Sequence, residues 1–182
     1  MVNIYKLKLT VLQQEILRFL FMKPDRSFNA RGLAMALEVS HPAISKALPL
    51  LEKQGYITIQ KDKESKRLSI KLNRDNPLVM GLKRSENLKL IYESGLAQSL
   101  YESFPGATII LFGSYSLGED ATSSDIDIAI IGAKEKKLEL EEFSKFIEKT
   151  VVLHYFLSFK DISKNLRNNI LNGIVLKGAV EL

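Results

Sequence analysis

From Thr10 to Met22 the apolar side chains Leu12, Ile16, Leu17, Leu20 and Phe21 recur at helical spacing, with Gln13, Gln14, Glu15 and Arg18 between them. This stripe predicts an amphipathic helix that ends at Lys23-Pro24-Asp25. A second helix fits Asn29 to Leu37, where Leu33, Ala34 and Leu37 share a face and the Asn29 side chain can cap the first turn. Ser40 can cap a third, whose apolar face is Ile44, Ala47, Leu48 and Leu51. Pro42 falls in its first turn, where a missing N–H costs nothing, but Pro49 denies a hydrogen bond to the Ser45 carbonyl and predicts a kink. Gly55 closes this helix. Tyr56 to Ile59 and then Leu68, Ile70 and Leu72 alternate as two strands around the charged run Lys61 to Arg67.

Asn73 to Pro77 is polar and rich in turn formers, which predicts a linker between a first part, residues 1–75, and a second, residues 76–182. Helices are expected over Leu82 to Glu93 and Gly95 to Phe104, the latter stopped by Pro105-Gly106. Neither carries evident chemistry. Two apolar runs, Ala107 to Phe112 and Asp125 to Ile131, predict buried strands. A helix from about Leu140 to Glu148, a strand over Thr150 to Phe156, a final helix from about Ile162 to Leu171 capped by Asp161, and a strand at Ile174 to Leu176 complete the pattern. The fold class is α+β: three helices and a hairpin, then a small mixed sheet with helices packed on it.

Composition narrows the chemistry. Of the 182 residues, 46% are hydrophobic, enough to bury real cores, and no uninterrupted apolar run is long enough to cross a bilayer. Without a secretory signal pattern either, the chain reads as cytoplasmic. Cysteine is absent and histidine occurs only at 41 and 154, which excludes disulfides and cysteine nucleophiles and argues against a zinc hydrolase. The net charge of +5 is uneven: residues 1–80 carry 14 Lys+Arg against 7 Asp+Glu, net +7, and residues 81–182 carry 12 against 14, net −2. The first part suits a polyanion, though a solvated basic surface is the plain alternative.

Three helices followed by a basic-tipped hairpin are the layout of a winged helix. The stretch ARGLAMALEVSHPAISKALPLLEKQGYITI, with its hairpin, resembles the winged helix-turn-helix regulators of bacteria and archaea over about residues 8–72. The resemblance implies double-stranded DNA as partner, with His41, Ser45 and Lys46 on the reading helix, Lys61, Lys63, Lys66 and Arg67 on the wing, and Arg31 near a phosphate. A winged helix used only for dimerisation or protein contact is the competing reading.

In the second part, Asp125 and Asp127 alternate with Ile126, Ile128 and Ile130, so both carboxylates are expected on one strand face. Side chains two apart on a strand lie about 7 Å from each other, and two anions so placed repel unless a cation or proton intervenes. Hard oxygen donors suit Mg²⁺ or Mn²⁺, which bridge to phosphates. The Gly113-Ser114 turn after the preceding strand lets backbone approach a phosphate. Phe112 to Ile130, FGSYSLGEDATSSDIDIAI, closely resembles the signature of the DNA polymerase β-like nucleotidyltransferases, and the size of the second part resembles their minimal prokaryotic members. The resemblance implies that Gly113 and Ser114 bind the triphosphate of an NTP, with ATP the first choice. It further implies that Asp125 and Asp127 bind the metals, and that a helical toxin-like protein is a possible partner.

The chain departs from that pattern at two places. No acid occurs on the strand Thr150 to Phe156, where the family carries a third carboxylate; the matching position is Val152, with His154 two residues on and on the same face. His154 is either a metal ligand or base, or a half-buried hydrogen-bonded histidine. Basic residues often follow Gly-Ser in the family, but here Tyr115 and Leu117 do. Glu119 and Asp120 read as solvated loop acids that could adjust metal binding.

Two functions remain open at this level. One is a DNA-binding nucleotidyltransferase that passes a nucleoside monophosphate to a hydroxyl. The other is a transcriptional regulator, acting as a homodimer, whose second domain has lost catalysis and senses nucleotide or only dimerises.

Overall fold

The computed structural model describes residues 9–61 and 68–181. The chain forms two compact units, Met1–Val79 and Met80–Leu182.

In the first unit, α1 (Val11–Met22) begins at a capping box in which the Thr10 hydroxyl accepts from the Gln13 N–H and the Gln13 side chain accepts from the Thr10 N–H. Gln13 is itself buried, and its amide donates to the Ala47 carbonyl at 3.1 Å, tying α1 to the third helix. Asn29 caps α2 (Ala30–Ala36) and Ser40 caps α3 (His41–Lys53), as their side chains predict. Helix α3 runs unbroken through Pro49, which lies on the exposed side, where water can serve the orphaned Ser45 carbonyl. Ile16, Leu20, Leu33, Ile44, Leu48 and Leu51 are almost wholly buried and form the meeting surface of the three helices. Each such side chain contributes roughly 1.5–3 kcal/mol by leaving water.

The hairpin β1 (Ile57–Lys61) and β2 (Leu68–Leu72) pairs antiparallel with Ile57 opposite Leu72 and Lys61 opposite Leu68. Phe28 adds a bridge that the alternation pattern did not announce, exchanging two backbone hydrogen bonds with Ile70 at 2.9 and 2.7 Å. Lys63, Lys66 and Arg67, expected on the wing, lie outside the described residues.

Helix α4 (Pro77–Glu93) begins five residues before the expected Leu82. Pro77 fits a first helical position, and the Asn76 side chain accepts from the Leu78 N–H at 3.0 Å. The side-chain amides of Asn73 and Asn76 both donate to the Gly55 carbonyl, at 2.9 and 3.0 Å, so the segment read as a linker is tied down by its own polar groups.

In the second unit, α5 (Leu96–Ser103) leads to β3 (Thr108–Phe112), α6 (Gly113–Leu117) and β4 (Ile126–Ile131). Next come α7 (Glu141–Ile147) and β5 (Val151–Phe156), then a 3-10 turn (Phe159–Asp161), α8 (Lys164–Leu171) and β6 (Ile174–Lys177). The sheet order among the described residues is β5-β4-β3-β6, with β5 parallel to β4 and the other pairs antiparallel. Its two faces bury different sets, as strand alternation requires. Ile109, Leu111, Ile126, Ile128 and Ile130 join Ile91, Leu96, Leu100 and Tyr115. Ile110, Phe112, Ala129 and Ile131 pack with Phe159, Ile162 and Ile170.

Asp161 does not cap the final helix. Its carboxylate accepts from the Ser158 N–H at 2.9 Å and closes a capping box on the 3-10 turn, and Ser163 takes the position ahead of α8. A serine three residues before an aspartate satisfies that turn locally, which leaves the helix to start later.

Candidate functional site

Strand β3 ends at Phe112, and the chain turns at Gly113, whose φ is +73°, a backbone region that disfavours any side chain. A Cβ at Gly113 would stand 2.8 Å from Oδ2 of Asp127. The register explains this closeness, since Phe112 pairs with Asp127 across β3 and β4. The bare backbone of the turn thus lies against the carboxylate, in a cradle that even a methyl group would fill. The Ser116 hydroxyl donates to the Gly113 carbonyl at 2.8 Å and holds the turn closed.

Asp127 belongs to the sheet face that carries Ala129 and Phe112, and its side chain is about one-third exposed, at 32%. Asp125 stands just ahead of β4 rather than inside it, and is exposed. On the parallel neighbour β5, Val152 is in register beside Asp127 and His154 beside Ala129. The imidazole reaches diagonally so that Nε2 lies 2.9 Å from Asp127 Oδ1, while its ring meets Phe112 edge-on with centroids 5.2 Å apart. His154 therefore has a partner, and that partner is one of the two aspartates singled out from the sequence.

The donor set suits a hard divalent cation. Asp127 against its glycine cradle and the exposed Asp125 could each offer an oxygen to such an ion, leaving the rest of its sphere to water and phosphate oxygens, which is how Mg²⁺ is usually held. No group of three His, Cys, Asp or Glu side chains among the described residues is close enough to form a closed metal cage.

Tyr115, in the place where a basic residue would face phosphates, turns inward instead. It is 1% exposed and its hydroxyl donates to the Asn87 carbonyl at 3.3 Å. Burial pushes its phenol well above the ordinary range, with the nearby Asp120 and Glu86 charges adding to the effect.

Asp120 corrects the expectation of a solvated loop acid, for it is fully buried. Oδ1 accepts from the Lys83 ammonium and from the Asn87 amide at 2.7 Å, and Oδ2 pairs with Lys149 at 3.2 Å. Helix α4 also does more than was expected of it, since it supplies Lys83 and Asn87. A trace of this was present in the pattern, because Val79, Lys83, Asn87 and Ile91 recur every fourth residue and all are buried. Glu119, by contrast, is exposed.

In the first unit, His41, Ser45 and Lys46 project from the exposed side of α3, and Arg31 on α2 and Lys61 at the hairpin are exposed as well. Ile44, Ala47, Leu48 and Leu51 occupy the opposite side, so the division of α3 into a buried and a polar face follows its sequence.

The MarR family matches residues 7–68 and the Nucleotidyltransferase domain matches residues 93–176. The chain joins a MarR-type DNA-binding domain to a nucleotidyltransferase domain. Similar solved structures include the adhesin competence repressor AdcR of Streptococcus pyogenes, at 24% identity and TM-score 0.42, covering 56% of this chain and 71% of that one. ZitR of Lactococcus lactis, in a cysteine-to-serine mutant form, is similar at 22% identity and TM-score 0.40, covering 57% and 67%. MepR, a transcription regulator of the Staphylococcus aureus multidrug efflux pump MepA, is similar at 22% and 0.40, covering 53% and 66%. Among curated proteins none matches the chain. No helix among the described residues is long and apolar enough to cross a membrane.

Proposed function

We propose that the chain is a DNA-binding nucleotidyltransferase whose second unit passes a nucleoside monophosphate from an NTP, ATP first among them, to a hydroxyl group of an acceptor. The observation that carries this reading is the packing of the Asp127 carboxylate against Gly113, which brings the acid half and the phosphate half of the proposed site together. Strand alternation about the buried Ile126 supports a common side for Asp125 and Asp127.

In this reading Asp125 and Asp127 hold Mg²⁺ or Mn²⁺, which would lend the positive charge that draws the triphosphate and eases departure of the leaving oxygen. Gly113 gives the backbone room to approach the phosphates, and Ser114 follows it as a hydroxyl donor. The acceptor oxygen forms a bond to the α-phosphorus, the bond from that phosphorus to the bridging oxygen breaks, and pyrophosphate leaves. The acceptor proton passes to solvent or to a base, a role His154 would take from beside Asp127. The first unit would bring this chemistry to double-stranded DNA through Arg31, His41, Ser45, Lys46, Lys61, Lys63, Lys66 and Arg67. A second copy of the chain and a helical toxin-like protein are the protein partners that fit the family resemblance, in the cytoplasm.

Incubation with labelled ATP, Mg²⁺ and candidate acceptors, co-purifying proteins included, tests the proposal. Label should pass to an acceptor with the wild type and not with Asp125→Asn/Asp127→Asn; equal labelling by both proteins sinks it.

One observation favours a second reading. Val152 stands beside Asp127 where the family carries its third acid. A regulator whose second unit binds nucleotide without turning it over accounts for that valine. It predicts ATP-dependent change in DNA affinity with no label transferred.

A further inference from the structure

The segment Gly118 to Ser124 connects the Gly-Ser turn to Asp125, and it contains no apolar side chain larger than that of Ala121. Hydrophobic burial therefore cannot fix its path. Polar groups do so instead, and they converge on two charges. The Lys149 ammonium donates to the Ala121 carbonyl at 2.5 Å, to that of Thr122 at 3.5 Å and to that of Ser124 at 3.4 Å, while pairing with Asp120 Oδ2 at 3.2 Å. On its other oxygen Asp120 holds Lys83 and Asn87, and the Asn87 amide donates also to the Tyr115 carbonyl of α6 at 2.9 Å. Lys83 and Asp120 are fully buried and the Lys149 side chain is 4% exposed.

A buried ion cluster of this kind is a poor source of stability, because desolvation consumes most of what the charges gain, and apolar replacements of similar shape are often no worse. What it supplies is direction. The ammonium of Lys149 gathers three carbonyls of the turn that ends at Asp125, and Asp120 joins that ammonium, through Asn87, to the helix that starts at Gly113.

We propose that Lys149 and Asp120 are positioning residues that set Asp125 relative to Asp127 and the Gly113-Ser114 turn, and so set the affinity for a divalent cation. This rests on the metal-site reading given under the proposed function. Small displacements of a coordinating group cost much in affinity or rate, so a loop of small polar residues needs such an anchor.

The test is titration of the full-length protein with Mn²⁺ in the presence of a non-hydrolysable ATP analogue, reading free Mn²⁺ by electron paramagnetic resonance, with folding followed by circular dichroism. Lys149→Met should weaken Mn²⁺ binding about tenfold or more, Lys149→Arg should restore most of it, and Ile131→Val, a core change at the end of β4 opposite Asp127, should leave it within twofold of wild type. A folded Lys149→Met that binds Mn²⁺ as wild type does overturns the proposal. Should Lys149→Met fail to fold, Ser124→Ala serves, since it removes the 2.9 Å bond from the Ala121 N–H to the Ser124 hydroxyl that holds the same turn. It should weaken binding severalfold, and unchanged affinity there is equally fatal. A wild type that takes up no Mn²⁺, or an Asp127→Asn variant that binds as tightly as wild type, overturns the metal site itself and this inference with it; normal wild-type binding with an indifferent loop overturns the positioning role alone.

Discussion

The Nε2 atom of His154 lies 2.9 Å from Oδ1 of Asp127, while Val152, two residues earlier on the same strand face, is the residue in register beside that aspartate. Asp127 thus has a neutral or titratable neighbour where a third carboxylate would add charge. Val152→Asp should convert the site. Without metal, two facing acids on adjacent strands should lower stability by up to about 1 kcal/mol. With Mn²⁺ present the loss should be recovered, because a ligand that binds only the folded state stabilises it. Thermal melts with chelator and with Mn²⁺ measure both effects. A melting temperature equally indifferent to Mn²⁺ in variant and wild type shows that position 152 does not face a metal.

Gly113→Ala tests the cradle. The substitution meets a left-handed backbone and a carboxylate oxygen 2.8 Å from the new Cβ. Strain in that region costs roughly 1–3 kcal/mol, and Asp127 must shift as well. Reduced stability in urea and loss of nucleotide binding are expected together. Gly106→Ala gives the comparison, because its φ is also positive, at +82°, yet a Cβ there meets nothing within 4 Å. It should lose stability without losing nucleotide.

Lys46→Ala tests the first unit. Lys46 is exposed on α3, opposite the buried Ile44 and Leu48. If it neutralises one DNA phosphate, its loss should weaken binding uniformly across sequences and reduce the slope of log K against log salt by about 1. Fluorescence anisotropy at several salt concentrations reads that slope, and an unchanged slope removes Lys46 from the interface.

Alkali should find the second unit through its tyrosines. Burial, with Tyr92 adding to it, raises the Tyr101 phenol from 10.0 to about 12, and Tyr115 is raised by burial and by Asp120. The folded state holds these protons more tightly than the unfolded chain does. Their contribution is therefore complete below pH 10, the ordinary phenol value, and declines as pH rises toward 12. Urea midpoints should fall over that window, and Tyr101→Phe should flatten the fall. The ultraviolet absorbance of the phenolate should lose its latest phases in Tyr101→Phe and Tyr115→Phe.

Local features were readable along the chain wherever one residue type answers a local physical need. Asn29 and Ser40 announced helix starts because a helix leaves its first N–H groups unpaired, and each side chain accepts from the backbone three residues on. Alternation at Ile126, Ile128 and Ile130 announced a strand, and all three are buried on one of its faces. The Gly-Ser turn and the Asp-x-Asp pair are visible by type and spacing, and the family pattern alone puts Val152 at the third-acid position.

Tertiary structure alone decided which of these groups touch. Spacing could not say that Asp127 would lie against Gly113, because that depends on Phe112 pairing with Asp127 across two strands. It could not give His154 to Asp127 either, since the parallel register of β4 and β5 does that. The burial of Asp120 is hidden from the sequence for the same reason. A charged residue in a polar loop looks solvated until two lysines, 37 residues before it in one case and 29 after it in the other, arrive to replace the water. Periodicity along a chain records which side chains avoid water, whereas the pairing of distant charges is set by how the elements pack, and no local pattern contains that information.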